Sequence, residues 1–409
     1  MNNGYLLSIV VPTRNRQTYC FESVKQILAV TDESVQIIIT DNSDENTLQA
    51  EIESLGESRI KYEFISTRIP GVDNYAHGIE MSDGEYVCCI GDDDGILRNI
   101  ISITSWMKDN NIDAVKPGVQ ATYFWPNSAK EYETGCVGLK SVTDNAIVVN
   151  PQEELIEFMH SGIIDFPEAK LVKAYHGIVK KELFNKIKEK TGRFCGGLSP
   201  DIYLSVALST VVDKLVCIDV PISIFGACRA STTADSVNKI NLGKLEDAPH
   251  FIGQPYEWSS YVPRYYCGSN IWADSALHAA EEMGREDLLK AFALDKFSGY
   301  SLVYYKQFKK EIMENYVKNN GDMKKLKEEK KKNQRPYLSA KVKESIRRNK
   351  LLIGLYRKLR DNKQRMAGAE NFVKTDIENV TVAESMVSEV VMKHMDAVMD
   401  NLKKIGQDL

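Results

Sequence analysis

Residues Gly84–Gly95, GEYVCCIGDDDG, run a short apolar segment straight into three adjacent carboxylates with a glycine on each flank. Tyr86–Ile90 is too apolar to be solvated and has the length of a strand, so Asp92, Asp93 and Asp94 sit at the edge of a core. Adjacent carboxylates repel, and packing gains nothing from them. Two readings remain: an exposed acidic turn, or a site for a hard divalent cation such as Mg²⁺ or Mn²⁺, which prefers oxygen ligands. The apolar strand in front of the run favours the cation. Gly91 and Gly95 let the turn fold tightly enough for backbone and phosphate to approach.

Upstream, the same alternation repeats. LLSIVVPT, VQIIITD and IKYEFIS read as strands, the first two as continuous Ile/Val-rich runs of the kind buried on both faces of a parallel sheet. Between them, Phe21, Val24 and Leu28 recur at helical spacing, as do Leu48, Ile52 and Leu55, and a third helix covers Val72–Met81. Strand–helix–strand alternation predicts an α/β sheet with right-handed crossovers. Ligands of such sheets collect at the carboxyl ends of the strands. PTRN follows the first strand, DNSD the second and GDDDG the fourth, so three polar clusters share one edge. At the second of these ends, Asp41 reads either as a ligand carboxylate or as the cap of the next helix.

At 409 residues the chain exceeds one ordinary core, and with 43% hydrophobic and 27% charged residues it is globular in composition. No apolar run is long enough to span a bilayer, and no signal peptide precedes Pro12. Eight cysteines without C-x-x-C spacing argue against a zinc site and a disulfide framework, and for a cytoplasmic location. The net charge of −5 hides an asymmetry: Lys324–Arg365 holds seventeen Lys/Arg against four Asp/Glu, on an otherwise acidic chain. That pattern does not suit nucleic acid along the chain. It suits a body attached to an anionic surface, such as the inner face of a membrane.

SIVVPTRNR, IIITDNSD, GVDNYAHGIEMSDGEYVCCIGDDDG and GGLSPDIYLS, in this order over roughly residues 5–230, resemble the family 2 glycosyltransferases of the GT-A fold. The resemblance implies a Rossmann-like nucleotide-sugar-binding domain, inverting sugar transfer, and Mn²⁺ or Mg²⁺ held against the donor diphosphate. By the same resemblance Pro12, Thr13 and Asn15 form the first nucleotide loop and Asp41 reads the base. Asp94 would hold the metal, with Asp92 on the metal and the ribose and Asp93 beside them. Asn74 stands in the helix where the family carries Arg-Asn, and His77 follows it; both depart from the pattern. The chain also lacks Q-x-x-R-W, which weighs against a processive synthase.

Sugar transfer needs a base for the acceptor hydroxyl. Asp201, after Gly-Gly and Ser-Pro at the head of an apolar helix, matches the family's base, and equally reads as a first-turn acid of that helix. His176 in AYHGIVK either faces the donor or is a satisfied core histidine. Arg229, Ser231, Thr232, His250 and the aromatic stretch around Trp258 and Tyr261 are weaker candidates.

The expected organisation is a GT-A domain over residues 1–237, a helical and aromatic extension over 238–322, a basic helical segment over 323–365 stopped first at Pro336, and an amphipathic helix over 366–409. In the last, Val380, Ala383, Val387, Val391, Met395, Val398, Leu402 and Ile405 form one stripe. That stripe predicts either docking within the chain or a homo-oligomer. The expected partners are a UDP-sugar donor and a glycan or lipid-linked acceptor in surface polysaccharide synthesis. A sugar nucleotidyltransferase would carry a Gly-rich loop after the first strand, and PTRNRQTYC has no glycine. The third reading is a non-catalytic scaffold that binds glycan or nucleotide.

Overall fold

The sheet begins where the apolar runs predict it. β1 (Leu7–Thr13) lies parallel to β2 (Val35–Asp41), with Thr13 opposite Asp41, and β2 lies parallel to β3 (Ile60–Phe64). β4 (Tyr86–Cys89) lies parallel to β1 on its other side. The crossovers are α1 (Gln17–Val30), α2 (Leu48–Ser54) and α3 (Gly71–Met81). The structure, a computed structural model, describes residues 4–129, 132–164, 166–230, 242–247, 256–348 and 370–409.

Successive side chains of a strand face opposite ways, and here both faces are covered. Val10, Ile38, Val87 and Cys89 enter one core, while Leu7, Ile9, Val11, Ile37, Ile39 and Cys88 enter the other. This is why the strands read as unbroken apolar runs rather than as an alternation. β3, at the sheet's edge, shows the alternation instead.

Downstream of β5 (Gly95–Ile96) and α4 (Ile100–Asp109) the chain adds β6 (Ala114–Pro117), β7 (Ala121–Phe124), β8 (Cys136–Val142) and β9 (Ala146–Val149). α5 (Pro151–His160), β10 (Ile178–Lys180), α6 (Lys181–Thr191), α7 (Pro200–Ser209), β11 (Leu215–Ile218) and β12 (Ser223–Ala227) follow. The main sheet runs β3-β2-β1-β4-β10-β6-β11-β9, with β10 antiparallel to both neighbours. A second sheet orders the strand Glu370–Thr375, β8, β7, β12 and β5. The architecture is α/β with a helical C-terminal region, as expected.

Two expectations need correction. The stripe of the helix Val380–Asp408 is buried against the chain's own core: Val380, Val387, Val398 and Leu402 have no exposed surface and join Ile100, Ile103, Val137 and Ile218. Docking within the chain uses up the apolar face on which the homo-oligomer rested. The basic helix, in turn, does not stop at Pro336 but runs from Met323 to Arg348 with the proline inside it. Pro336 is exposed there, so the carbonyl that loses its amide partner can turn to water. Leu351–Arg365 lies outside the described residues.

Candidate functional site

The carboxyl ends of β1, β2 and β4 are drawn together by their own polar loops. Asn74, on α3, donates from Nδ2 to the carbonyls of Thr13 and Thr40 at 3.2 Å each, tying the end of β1 to that of β2. Asn15 takes a left-handed backbone with φ 54°, and its amide N–H donates to Ser43 Oγ. Its side chain exchanges hydrogen bonds with Asp44. Asp41 is fully buried; its Oδ1 accepts from the Ser43 amide at 2.9 Å and its Oδ2 from the Tyr62 hydroxyl at 3.0 Å. Pro12 pairs across the sheet with Thr40. The loops after β1 and β2 are thus one cross-braced surface.

The acidic run is enclosed rather than solvated, with Asp92, Asp93 and Asp94 at most 4% exposed. Thr13 Oγ1 donates to Asp92 Oδ2 at 2.6 Å, and Arg16 Nε reaches the same oxygen at 3.1 Å. Arg16 Nη2 lies 2.7 Å from Asp92 Oδ1, a close ion pair rather than an aligned hydrogen bond. Asp93 Oδ1 is 3.6 Å from Arg16 Nη1, and its Oδ2 accepts from the Cys228 amide at 2.8 Å. Asp94 Oδ1 accepts from the Gly226 amide at 2.6 Å. Its Oδ2 accepts from the Gly91 amide at 2.5 Å and the Tyr175 hydroxyl at 2.9 Å, with His176 Nε2 at 3.0 Å. Gly226 has to be glycine: a Cβ there would stand 1.7 Å from the Asp93 carbonyl oxygen.

Electrostatics divide the three acids. Burial, opposed by Arg16 and reinforced by Asp93, raises Asp92 to about 7, and burial with the neighbouring Asp94 charge raises Asp93 as well. Burial works the same way on Asp94, but His176 and the Gly226 and Gly91 amides outweigh it and hold Asp94 below its ordinary value. Burial opposes the charge of Arg16, yet Asp92 and Asp93 raise its pKa and keep it protonated.

The main chain of the run is pinned too. Trp125 Nε1 donates to the Asp93 carbonyl at 2.8 Å, the Ser23 hydroxyl donates to the Asp94 carbonyl, and Gln26 exchanges two hydrogen bonds with Ile96.

His176 does not face an open donor pocket. It is 3% exposed, has φ 59°, stacks on Phe225 with ring centres 3.5 Å apart, and bridges Asp94 to Ser223 Oγ at 2.8 Å through Nδ1. Asn74, likewise buried, supports the loop backbones. His77 pairs with Glu63 at 3.1 Å on the outer side of α3, away from the acidic run. Asp201 stands half-buried in the first turn of α7, where the Ser199 hydroxyl donates to it. It belongs to the same electrostatic neighbourhood: burial and the charges of Asp94, Asp93 and Asp201 together push the Tyr175 phenol up. Arg229 is exposed next to Cys228. Trp258 is packed in the core, its Nε1 donating to the Val262 carbonyl, while Tyr261 is exposed. Ser231, Thr232 and His250 lie outside the described residues.

Arg16, Trp125, Tyr175 and Ser223 were missed as site residues. Arg16 stood inside the quoted PTRNR motif, and a carboxylate triplet at the end of the neighbouring strand asks for a cation. The other three carry no signal in the sequence, because only the fold brings them to the motif.

For Mn²⁺ or Mg²⁺ the charge fits and the oxygens do not. Each of the six carboxylate oxygens already meets a protein donor or cation. No group of three or more His, Cys, Asp or Glu side chains gathers in a metal-binding arrangement among the described residues.

In open α/β sheets of this kind, ligands bind at the carboxyl edge of the strands, where these polar loops meet. Residues 8–131 match the family described as "Glycosyl transferase family 2". It is 29% identical over 99 residues to the Campylobacter jejuni GalNAc(5)-diNAcBac-PP-undecaprenol beta-1,3-glucosyltransferase, covering 24% of this chain and 32% of that protein. It is 26% identical over 197 residues to the glycosyltransferase GlyG of Streptococcus pneumoniae, covering 46% and 61%. To the putative colanic acid biosynthesis glycosyl transferase WcaA of Escherichia coli it is 33% identical over 107 residues, covering 25% and 38%. The chain thus spans between about a third and three fifths of the length of these relatives. Among solved structures, S. aureus TarS 1–349 in complex with UDP-GlcNAc aligns with a TM-score of 0.44 and 12% identity, covering 76% of this chain and 89% of that one.

Proposed function

We propose that the chain is a glycosyltransferase that moves a sugar from a nucleotide-sugar donor to a glycan or lipid-linked acceptor in bacterial surface polysaccharide synthesis. The observation that carries this reading is the convergence of Thr13, Asp41 and Asp92 at one sheet edge, inside the segment that matches the family. The Thr13–Asp92 hydrogen bond joins the loop after β1 to the acidic run, and Asp41 opens the neighbouring loop. A nucleotide laid along this edge has its base end at Asp41 and its diphosphate end toward Asp92 and Arg16.

Transfer is a single displacement. The acceptor oxygen forms a bond to the sugar's anomeric carbon, the bond to the diphosphate breaks on the opposite face, and the acceptor proton passes to Asp201. The nucleoside diphosphate leaves, and the anomeric centre inverts. The β-linkage in the name of the C. jejuni relative supports inversion from an α-linked donor, and the lipid diphosphate in that name supports a lipid-linked acceptor. A divalent cation, where one is bound, would supply charge neutralisation for the departing diphosphate.

The basic helix Met323–Arg348 supports peripheral association with an anionic membrane. Its exposed Leu338 and Val342 lie one turn apart among lysines and arginines. No helix among the described residues is long and apolar enough to cross one. Calorimetry with UDP, GDP and dTDP tests the donor half. The reading requires that at least one bind and that Asp41→Asn weaken it; a chain that binds none of them is not a transferase of this kind.

A further inference from the structure

The acidic run poses a problem of charge. Three buried carboxylates lie side by side, none more than 4% exposed, and such a cluster calls for positive charge close by. Desolvated carboxylates are stable only when paired. The cation already in place is a side chain. Arg16 presents Nε and Nη2 to the two oxygens of Asp92 at 3.1 and 2.7 Å, and Nη1 to Asp93 at 3.6 Å. Its planar fork matches a carboxylate as a point charge does not. Thr13 shares Asp92 Oδ2 with Arg16, and the oxygens that Arg16 leaves, Asp93 Oδ2 and both of Asp94, are taken by the amides of Cys228, Gly226 and Gly91, and by Tyr175 and His176.

We propose that Arg16 is the resident counter-cation of the acidic motif, and that in the donor-free chain its guanidinium excludes divalent cations from Asp92 and Asp93. The guanidinium is itself partly open, its side chain 24% exposed while that of Asp92 is fully covered. It therefore stands on the solvent side of the carboxylate, where an incoming cation must arrive. Arg16 is a positioning residue here: it sets the charge and the geometry of Asp92. The proposal concerns cation uptake by the free chain, so it holds or fails independently of whether the chain transfers sugar.

The test is a Mn²⁺ titration of the full-length chain without nucleotide, followed by the electron paramagnetic resonance signal of free Mn²⁺. The wild-type chain is expected to remove no stoichiometric Mn²⁺ at sub-millimolar concentrations. Arg16→Gln, which removes the positive charge from beside two carboxylates, should bind one Mn²⁺ at least about tenfold more tightly. Arg16→Lys keeps the charge and should stay close to wild type. Tight uptake by the wild-type chain overturns the proposal, and so does a folded Arg16→Gln variant that gains nothing. Should that variant fail to fold, crystals of the wild-type chain soaked in MnCl₂ decide the matter: anomalous density between Asp92 and Asp93 contradicts it, and its absence there upholds it.

Discussion

β1, through Leu7, Ile9 and Val11, and the helix Val380–Asp408 bury apolar residues in the same core, yet one is readable from its own residues and the other is not. In β1 an unbroken Ile/Val run followed by a polar loop fixes a buried parallel strand and tells where its carboxyl end lies. The helix shows an equally regular stripe, but a stripe says only that something covers it. Here the cover is the chain itself: Val380 packs over Gly95, where a Cβ would come within 2.7 Å of its Cγ2, so the helix seats against the turn that carries the acidic run. Tyr123 donates to the Ile377 carbonyl at 3.1 Å, and Trp125, 5.1 Å from it ring to ring, donates to Asp93. Nearly three hundred residues apart in sequence, the acidic run and the last helix are one packed unit.

The largest expected effect follows from that contact. Deleting residues 370–409 exposes the core beneath Val380, Val387, Val391, Met395, Val398 and Leu402. At about 1.5–3 kcal/mol per buried side chain the loss is on the order of 10 kcal/mol, comparable with the whole stability of a domain. The truncated chain should lose its cooperative thermal transition; a melt like that of the intact chain would make the helix an appendage. Asp201→Asn comes next and acts on the opposite end of the comparison, chemistry without packing. Turnover should fall by roughly two to four orders of magnitude with the melting temperature nearly unchanged, and normal turnover would reduce Asp201 to a first-turn acid of α7. Smaller still, Val391→Asp places a charge at a site 1% exposed and should cost about 3 kcal/mol or more. Its neighbour Met392 is 48% exposed, so Met392→Asp should stay within about 0.5 kcal/mol. Equal losses from the two, read from denaturant unfolding, would mean that the stripe is not the buried face.

Sequence carried the first four strands and three helices, because period and length are local properties. β8 and β9 escaped notice: β9 is half-exposed, and β8 is ordered by pairing with β7 and with Glu370–Thr375. The acidic run was legible as the end of a buried strand, but its inner wiring was not. Asp94 reaches Gly226 across 132 positions and Thr13 reaches Asp92 across 79, distances over which residue spacing carries no information. His176 shows the same limit. As a residue type it suited a donor contact, and only the fold turns it inward, onto Asp94 and Ser223.

The most direct measurement is release of nucleoside diphosphate from a panel of UDP-, GDP- and dTDP-sugars by the full-length chain. It is run with and without a synthetic polyprenyl-diphosphate glycan, and the anomeric configuration of the product is read by NMR. One donor should be turned over, faster with acceptor and with inversion, and Asp201→Asn should abolish the acceptor-dependent rate. Binding of a nucleotide sugar without turnover under any acceptor, and indifference to Asp201→Asn, would contradict it and leave a nucleotide-binding scaffold in its place.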